Sequence, residues 1–175
     1  MPVLFEHAIL SVEDFEVPTR DGPRRYIRVR VPDWCNVVAI TRAGEVVLVR
    51  QHRWGIDAPT LEIPGGVVDP GEAPLAAAKR ELREETGYGG GTWSSLGVVT
   101  SNPVIQDNRT WAWLASGVAR LGEPQLGPGE HDLTVETVPV DALRTLLDTG
   151  AIHHALAVVS LQRYLLGAAR STLRA

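Results

Sequence analysis

The stretch from Gly65 to Gly87 limits what this chain can fold into more than any other part of its sequence. A glycine pair, Gly65-Gly66, is followed by a turn signal at Asp69-Pro70-Gly71 and by an Ala- and Glu-rich segment that begins at Pro74. Proline suits the first position of a helix, where its missing N–H needs no partner, and glycine is favoured directly after a helix. The sequence therefore predicts a loop, and then a helix that begins at Pro74 and ends near Gly87.

Three glutamates of this helix, Glu81, Glu84 and Glu85, stand at positions i, i+3 and i+4. With 3.6 residues per turn they fall within an arc of roughly 100°. Leu82 occupies the neighbouring arc and is expected to pack on a sheet, which places the carboxylates at the margin of the core. A solvated charged face is the plain alternative, because Arg80 and Glu84 form an i, i+4 pair. A cluster of oxygen ligands of this size also suits Mg²⁺ or Mn²⁺.

Composition narrows the class of protein. The chain has 175 residues, 44% of them apolar, which fits one domain over residues 1–175 with a core of ordinary size. Its net charge of -4 lacks the basic excess that holds proteins on nucleic acid, so extended nucleic-acid binding is not expected. Cys35 is the single cysteine, and neither a signal-peptide pattern nor a membrane-spanning apolar run is present. We therefore expect a cytoplasmic protein that does not enter a membrane.

Strand and helix signals along the chain predict an α+β fold, an α/β/α sandwich with a mixed β-sheet between helices and additional antiparallel strands at the N-terminus. Strands are predicted in part of 7–17 and over 24–31, 36–41, 45–50, 93–100, 110–115 and 133–138. Two further helices are predicted over 140–147 and 153–168.

The whole string from Gly66 to Tyr88 resembles the Nudix box, G-x5-E-x7-R-E-U-x-E-E-x-G-U, in which U is a bulky apolar residue. Every charged and glycine position is matched, and Tyr88 departs only in being aromatic at the last U. The resemblance implies a Nudix fold, a divalent cation as cofactor, and hydrolysis of a nucleoside diphosphate linked to another group.

The same resemblance implies roles for individual residues. The expected metal ligands are Glu81, Glu84, Glu85 and the carbonyl of Gly65, and two of them, Glu84 and Glu85, are also expected to be catalytic. Residues expected to support the loop and the helix structurally are Gly66, Glu72, Arg80 and Gly87.

Upstream of the box, the segments Val46–Arg53 and Leu61–Gly66 are similar to the ADP-ribose pyrophosphatase-like branch of the family. This likeness implies that Arg53 contacts phosphate and that Glu62 orients Arg53 or a substrate group. An Arg–Glu surface pair is the plain alternative. Of the five tryptophans, Trp54 is expected to stack on the substrate, whereas the others are expected to lie in the core.

Downstream, the segment from Asn102 to Arg109 looks like the Asn-Pro-x-x-x-x-Asn-Arg form of relatives with broader nucleotide-sugar activity, so both residues are expected to bind substrate. The loop at 127–132 looks like the acidic loop that supplies a catalytic base in this branch. Glu130 is the predicted base, and Asp132 and Glu136 remain alternatives.

The resemblance thus predicts a hydrolase that splits the pyrophosphate bond of ADP-ribose, or of a related nucleoside diphosphate sugar, into a nucleoside monophosphate and a sugar phosphate. A nucleoside triphosphate or RNA 5′-end pyrophosphohydrolase is an alternative, and so is a non-catalytic Nudix ligand sensor. Relatives in the branch are usually homodimers whose N-terminal strands pack across the partner. Residues 1–35 are therefore expected to be dimerising strands, and residues 36–175 the Nudix core.

Overall fold

The computed structural model describes residues 2–172, with side chains described as far as residue 167. Met1 and residues 173–175, which complete the expected 1–175 domain, lie outside the described residues.

A separate antiparallel sheet is formed near the N-terminus by β1 (Val3–His7), β2 (Leu10–Thr19) and β3 (Gly22–Arg30), in that order. The sequence predicted the second and third of these strands and missed most of the first. Every residue of β1 is exposed, so no alternation of buried and exposed positions marks it in the sequence.

The central sheet is mixed, as predicted, and among the described residues it contains eight strands, five of which the sequence predicted. Its strands are β4 (Trp34–Thr41), β5 (Glu45–Arg53), β6 (Ala58–Glu62), β7 (Gly65–Val67), β8 (Tyr88–Gly89), β9 (Thr92–Thr100), β10 (Arg109–Arg120) and β11 (Thr134–Pro139). The main order is β11-β5-β4-β10-β8, while β6 pairs with β5, β7 with β4 and β9 with β10. The strands β4 and β10 run parallel, and the other pairs are antiparallel.

Helices cover both faces of this sheet, which confirms the α/β/α sandwich. On one face α1 (Pro74–Thr86) buries Ala78 and Leu82 against Val37 of β4. On the other face α2 (Leu143–Asp148) and α3 (Ala155–Thr172) pack their apolar residues against Val38 of the same strand. Successive strand residues point to opposite faces, so β4 contributes to both cores. Among residues 2–172, no helix combines the length and apolar character needed to cross a bilayer.

The helix α1 begins and ends where the sequence predicts. Pro74 occupies the first turn, and Gly87 follows the helix with φ 73°, in the left-handed region, where its N–H donates to Arg83 O at 2.9 Å. A side chain at Gly87 would also collide with the carbonyl of Gly122, so both backbone conformation and space require glycine here.

The C-terminal helices differ in detail from the prediction. Residues Val140–Ala142 form a 3₁₀ turn before α2, and α3 begins at Ala155 instead of at residue 153. The carbonyl of His154 accepts a hydrogen bond from Val158 N at 2.9 Å, so His154 stands at the boundary of α3. Hydrophobic periodicity cannot locate such a boundary, because it depends on one backbone hydrogen bond.

The loop between β9 and β10, residues 101–108, is joined to the N-terminal sheet. Val29 N donates to Ile105 O at 2.7 Å, and Arg30 forms a 2.8 Å ion pair with Asp107. The side chain of Asn108 donates to Pro32 O at 3.1 Å. These contacts fix the loop against β3 and the segment that follows it.

Candidate active site

Arg80 connects the loop before α1 to the helix. Its guanidinium donates to both oxygens of Glu72, at 3.1 and 2.9 Å, and to the carbonyl of Val67 at 3.0 Å. It also donates to Glu81 at 2.8 Å and to Glu84 at 3.1 Å. Glu72 in turn accepts a bond from Asp69 N at 3.2 Å. This geometry is what structural support by Glu72 and Arg80 requires.

Three carboxylates converge beside the start of β7. One oxygen from each of Glu81, Glu85 and Glu130 lies within 4.8 Å of the other two. Glu85 is 2% exposed, and its Oε2 accepts a hydrogen bond from Gly65 N at 2.9 Å. Burial raises the pKa of Glu85 well above its ordinary value, against the Gly65 N–H, and the charges of Glu81 and Glu130 add to the rise. Burial also raises the pKa of Glu81.

Glu84 stands apart from this cluster. Its side chain is 41% exposed and bonds to Arg80. Relative to Glu81, a helix rotates the residue at i+3 by about 60° to one side and the residue at i+4 by about 40° to the other. The three predicted metal glutamates therefore have different surroundings, and Glu130 occupies the place beside Glu81 and Glu85.

The two glycines before α1 leave space for a carboxylate of the cluster and for the neighbouring strand β4. A Cβ at Gly66 would overlap the carboxylate of Glu81, and a Cβ at Gly65 would overlap the Cys35 carbonyl and the side chain of Asn36. Any larger residue would displace the carboxylate or the neighbouring strand.

Of the three acids considered as the base, only Glu130 is brought to the cluster. Its Oε2 accepts a hydrogen bond from Gly127 N at 2.8 Å, which fixes the carboxylate within its own loop. Asp132 instead accepts a bond from His52 N at 2.7 Å. Glu136, which lies on β11, pairs with Arg50 of β5 at 3.0 Å.

Arg53 and Glu62 form a bidentate pair across β5 and β6, with Nε–Oε1 at 2.7 Å and a terminal nitrogen 2.8 Å from Oε2. Thr60 donates to Oε1 at 2.5 Å, and His154 Nδ1 lies 2.8 Å from Oε2. Burial acts to raise the pKa of Glu62, but the bonds from Arg53 and Thr60 and the close contact with His154 outweigh it and hold the pKa well below its usual range. Glu62 is only 2% exposed, so this is not a surface pair.

A cavity of about 460 Å³ opens next to Arg53 and is called the site cavity below. Its walls include the rings of Trp34 and Trp54, the side chains of Ile56 and Leu156, and His154. Burial acts to lower the pKa of Arg53, but the bonds and charge of Glu62 and the charges of Glu85 and Glu130 raise it, so Arg53 lines the cavity and also lies near the carboxylate cluster.

Trp54 is 75% exposed, and its ring packs on His52 at a centroid distance of 4.4 Å. Trp34, expected in the core, also lines the cavity, and its Nε1 donates to Asn36 Oδ1 at 3.0 Å. Sequence patterns did not place Trp34 or His154 at the site, because both reach the cavity through contacts between distant segments.

Asn102 and Arg109 lie at the two ends of the β9–β10 loop, away from the site cavity. The carbonyl of Asn102 accepts backbone bonds from Ile105 and Gln106, and the backbone of Arg109 donates to Asp33 at 2.8 Å. Both residues are exposed, and neither is among the described residues that line the cavity.

Comparison with known proteins agrees with this geometry. The NUDIX domain model matches residues 33–158, and the chain belongs to the Nudix family of hydrolases. Within that family it falls in the ADP-ribose pyrophosphatase branch.

An ADP-ribose pyrophosphatase of Bacillus subtilis is 31% identical over 87% of this chain and 82% of its own length. One of Mycobacterium tuberculosis is 33% identical over 70% of this chain and 59% of its own length. The crystal structure of an ADP compounds hydrolase shares the fold, with a TM-score of 0.83 and 24% identity over 97% of this chain and 93% of that one.

The residues of the cluster fit the divalent cation that Nudix hydrolases use. Two enclosed carboxylates with raised pKa values and a third beside them are oxygen ligands whose mutual repulsion a cation relieves. Because Gly66 has no side chain, the Glu81 carboxylate has room to occupy its position in the cluster.

Proposed function

We propose that this Nudix hydrolase splits the pyrophosphate bond of ADP-ribose, or of a related nucleoside diphosphate sugar, into a nucleoside monophosphate and a sugar phosphate. The observation that carries the proposal is that Arg53 lines the site cavity and is also near enough to Glu85 and Glu130 of the carboxylate cluster to feel their charges. A diphosphate bound at Arg53 reaches the carboxylates, while the group attached to it extends into the cavity.

Each part of the site has a defined task in this reaction. Arg53, whose guanidinium is oriented by its bidentate pair with Glu62, binds phosphate oxygens. Glu130 takes the proton of the water whose oxygen bonds to phosphorus as the bridging P–O bond breaks. Glu81 and Glu85 hold Mg²⁺ or Mn²⁺, with Glu84 and the Gly65 carbonyl as further proposed ligands. Such an ion, when bound, neutralises charge on the phosphoryl oxygens and lowers the pKa of water.

The walls of the site cavity suit the nucleotide half of such a substrate. Trp54 offers an exposed ring face on which a base or sugar can stack. In the same proposal Asn102 and Arg109 contact substrate bound in the second subunit of a dimer, because contacts with β3 and the segment that follows it fix their own loop away from the site cavity. Gly66 and Gly87 support the site by leaving space and by ending α1.

We further propose a homodimer located in the cytoplasm, with residues 1–35 supplying the dimer contacts and residues 36–175 the catalytic core. Six large apolar residues of the N-terminal sheet and its first turn are 46–64% exposed: Val3, Leu4, Phe5, Ile9, Tyr26 and Ile27. Exposed apolar residues in this number are typical of a protein interface.

A substrate panel tests the proposed reaction. The purified protein is incubated with ADP-ribose, other nucleotide sugars, dinucleotides, nucleoside triphosphates and 5′-triphosphorylated RNA, each with Mg²⁺ or Mn²⁺, and products are identified by mass spectrometry. We expect AMP and ribose phosphate from ADP-ribose, and loss of products in EDTA. Faster cleavage of triphosphates would contradict the proposal, and tight ADP-ribose binding without any product would identify a ligand sensor.

A further inference from the structure

His154 contacts the Arg53–Glu62 pair from outside the two strands that carry it. Its backbone is fixed at the start of α3 by the bond from Val158 N to its carbonyl, and its side chain lines the site cavity. Nδ1 is buried and lies 2.8 Å from Glu62 Oε2. Nδ1 makes no hydrogen bond of standard geometry, so the contact with Glu62 is an electrostatic one at hydrogen-bond distance.

The contact completes the surroundings of Glu62. Oε1 accepts from Arg53 Nε and Thr60, while Oε2 faces the second nitrogen of Arg53 and His154. Arg53 and Thr60 lie on the β5–β6 hairpin together with Glu62, and His154 is the described partner that ties this carboxylate to another layer of the fold. Because a guanidinium–carboxylate fork is planar, whatever fixes the carboxylate also fixes the plane of Arg53.

The chemistry of the contact determines which ring nitrogen carries the proton. An ionised Glu62 carboxylate offers only acceptors, and a lone pair on Nδ1 at 2.8 Å would repel it. A neutral His154 therefore carries its proton on Nδ1, and Nε2 is left as an acceptor.

We propose that His154 is a positioning residue, which with Nδ1 protonated holds Glu62, and through it the Arg53 guanidinium, in the orientation that receives the substrate diphosphate. This inference rests on the proposed function. Arg53 binds phosphate before and during the reaction, so loss of its orientation weakens binding of the ground state and the transition state alike. Such a loss raises KM and leaves kcat nearly unchanged.

Three substitutions of His154 test the geometry. Asparagine places an N–H close to the position of Nδ1, whereas glutamine extends past it and alanine has no donor. We expect His154→Ala and His154→Gln to raise KM for the nucleotide sugar about 10-fold, which is the lower end of the effects seen when a residue that orients a ligand-binding side chain is lost. We expect His154→Asn to retain most of the wild-type affinity. Gln162→Asn, at an exposed position farther along α3 that is not among the described residues lining the site cavity, is the control for changes on this helix and is expected to keep the wild-type KM.

A second measurement needs no turnover. Long-range ¹H–¹⁵N NMR spectra of the metal-free protein at a pH where the ring is neutral are expected to show His154 protonated on Nδ1. Detection of the Nε2–H form would overturn the inference, and so would an unchanged KM in His154→Ala. Rescue by glutamine instead of asparagine, or an equal KM rise in Gln162→Asn, would overturn it as well. Failure of the proposed function is distinguishable, because the wild-type protein itself would then cleave no nucleotide sugar.

Discussion

Glu130 is the residue on which the proposed chemistry depends most directly, and its loop holds it independently of α1. Glu130→Gln keeps the shape of the side chain and its bond from Gly127 N but cannot take a proton. We expect kcat to fall by about 100-fold or more, the range for loss of a general base, with little change in thermal stability. Steady-state kinetics on the substrate found in the panel measure this.

Glu136→Gln is the matched control, because the Glu136 carboxylate on β11 forms an ion pair with Arg50 of β5 and does not belong to the carboxylate cluster. An equal loss of kcat in Glu136→Gln, or an unchanged kcat in Glu130→Gln, would contradict the choice of base.

The sequence predicted the chemistry of single residues better than their surroundings. The box string pointed to Glu81, Glu84 and Glu85 as one face, but helical spacing cannot decide which of three neighbouring carboxylates turns inward. That depends on Arg80, which bonds to Glu81 and Glu84, and on Gly65, whose N–H bonds to Glu85. The place of His154 beside Glu62 could not be predicted, because it depends on how α3 packs on the sheet.

At the scale of elements, the loop before α1 and the helix act as one unit through Arg80. Arg80→Lys keeps a positive charge, but a single ammonium cannot reach Glu72, Val67 O and two helix carboxylates together. We expect the free energy of unfolding to fall by about 1–3 kcal/mol, as for other broken networks, and kcat/KM to fall at least about 10-fold. Chemical denaturation and kinetics measure the two effects.

Arg120→Lys serves as the comparison, because Arg120 forms an exposed pair with Glu123 at 2.7 Å and contacts no site residue. It is expected to change stability by less than about 0.5 kcal/mol. Equal losses of stability in the two variants would show that Arg80 contributes no more to the free energy of unfolding than a surface ion pair does.

Elements with strong local signals were predicted well. Pro74, Gly87 and the apolar positions between them predicted α1 from Pro74 to near Gly87, and apolar segments bounded by turn signals predicted five of the eight central strands. β1 was missed because both of its sides are exposed, and the start of α3 was placed two residues early because its boundary is one backbone bond. The parallel pairing of β4 with β10 arises from contacts far apart in sequence, which no local pattern specifies.

For the whole molecule, the cluster links stability to pH and to cation binding. The pKa values of Glu81 and Glu85 are raised in the fold, so above about pH 4.3 these two carboxyl groups bind more protons in the metal-free folded protein than in the unfolded chain. The stability that these two groups contribute is therefore present below that pH and is lost as pH rises toward neutrality.

We accordingly expect Mg²⁺ to raise Tm more at pH 7.5 than at pH 5.0. Binding at 100 times Kd contributes about 2.7 kcal/mol, which corresponds to a shift on the order of 5 °C for a chain of this size. Differential scanning fluorimetry of EDTA-treated protein measures the shift, and Glu85→Gln is expected to remove most of it. An equal shift at both pH values would show that cation binding does not depend on these carboxylates.

The exposed apolar residues of the N-terminal sheet lead to a prediction on assembly. We expect light scattering after gel filtration to give twice the 19.0 kDa chain mass, and Phe5→Asp combined with Ile27→Asp to give the chain mass itself. A wild-type monomer would contradict the proposed homodimer, whatever the activity. Arg20→Asp, which adds the same charge to the exposed β2–β3 turn, is the control for charge alone.

The join between β3 and the β9–β10 loop limits how this enzyme could be redesigned. Val29 and Gln106 form a parallel bridge, and Arg30 pairs with Asp107 across the same junction. A chimaera that receives only residues 101–108 from another hydrolase would lack the matching partners of these contacts, because β3 would still come from the recipient protein. Grafts at this position therefore have to transfer β3 and the loop together.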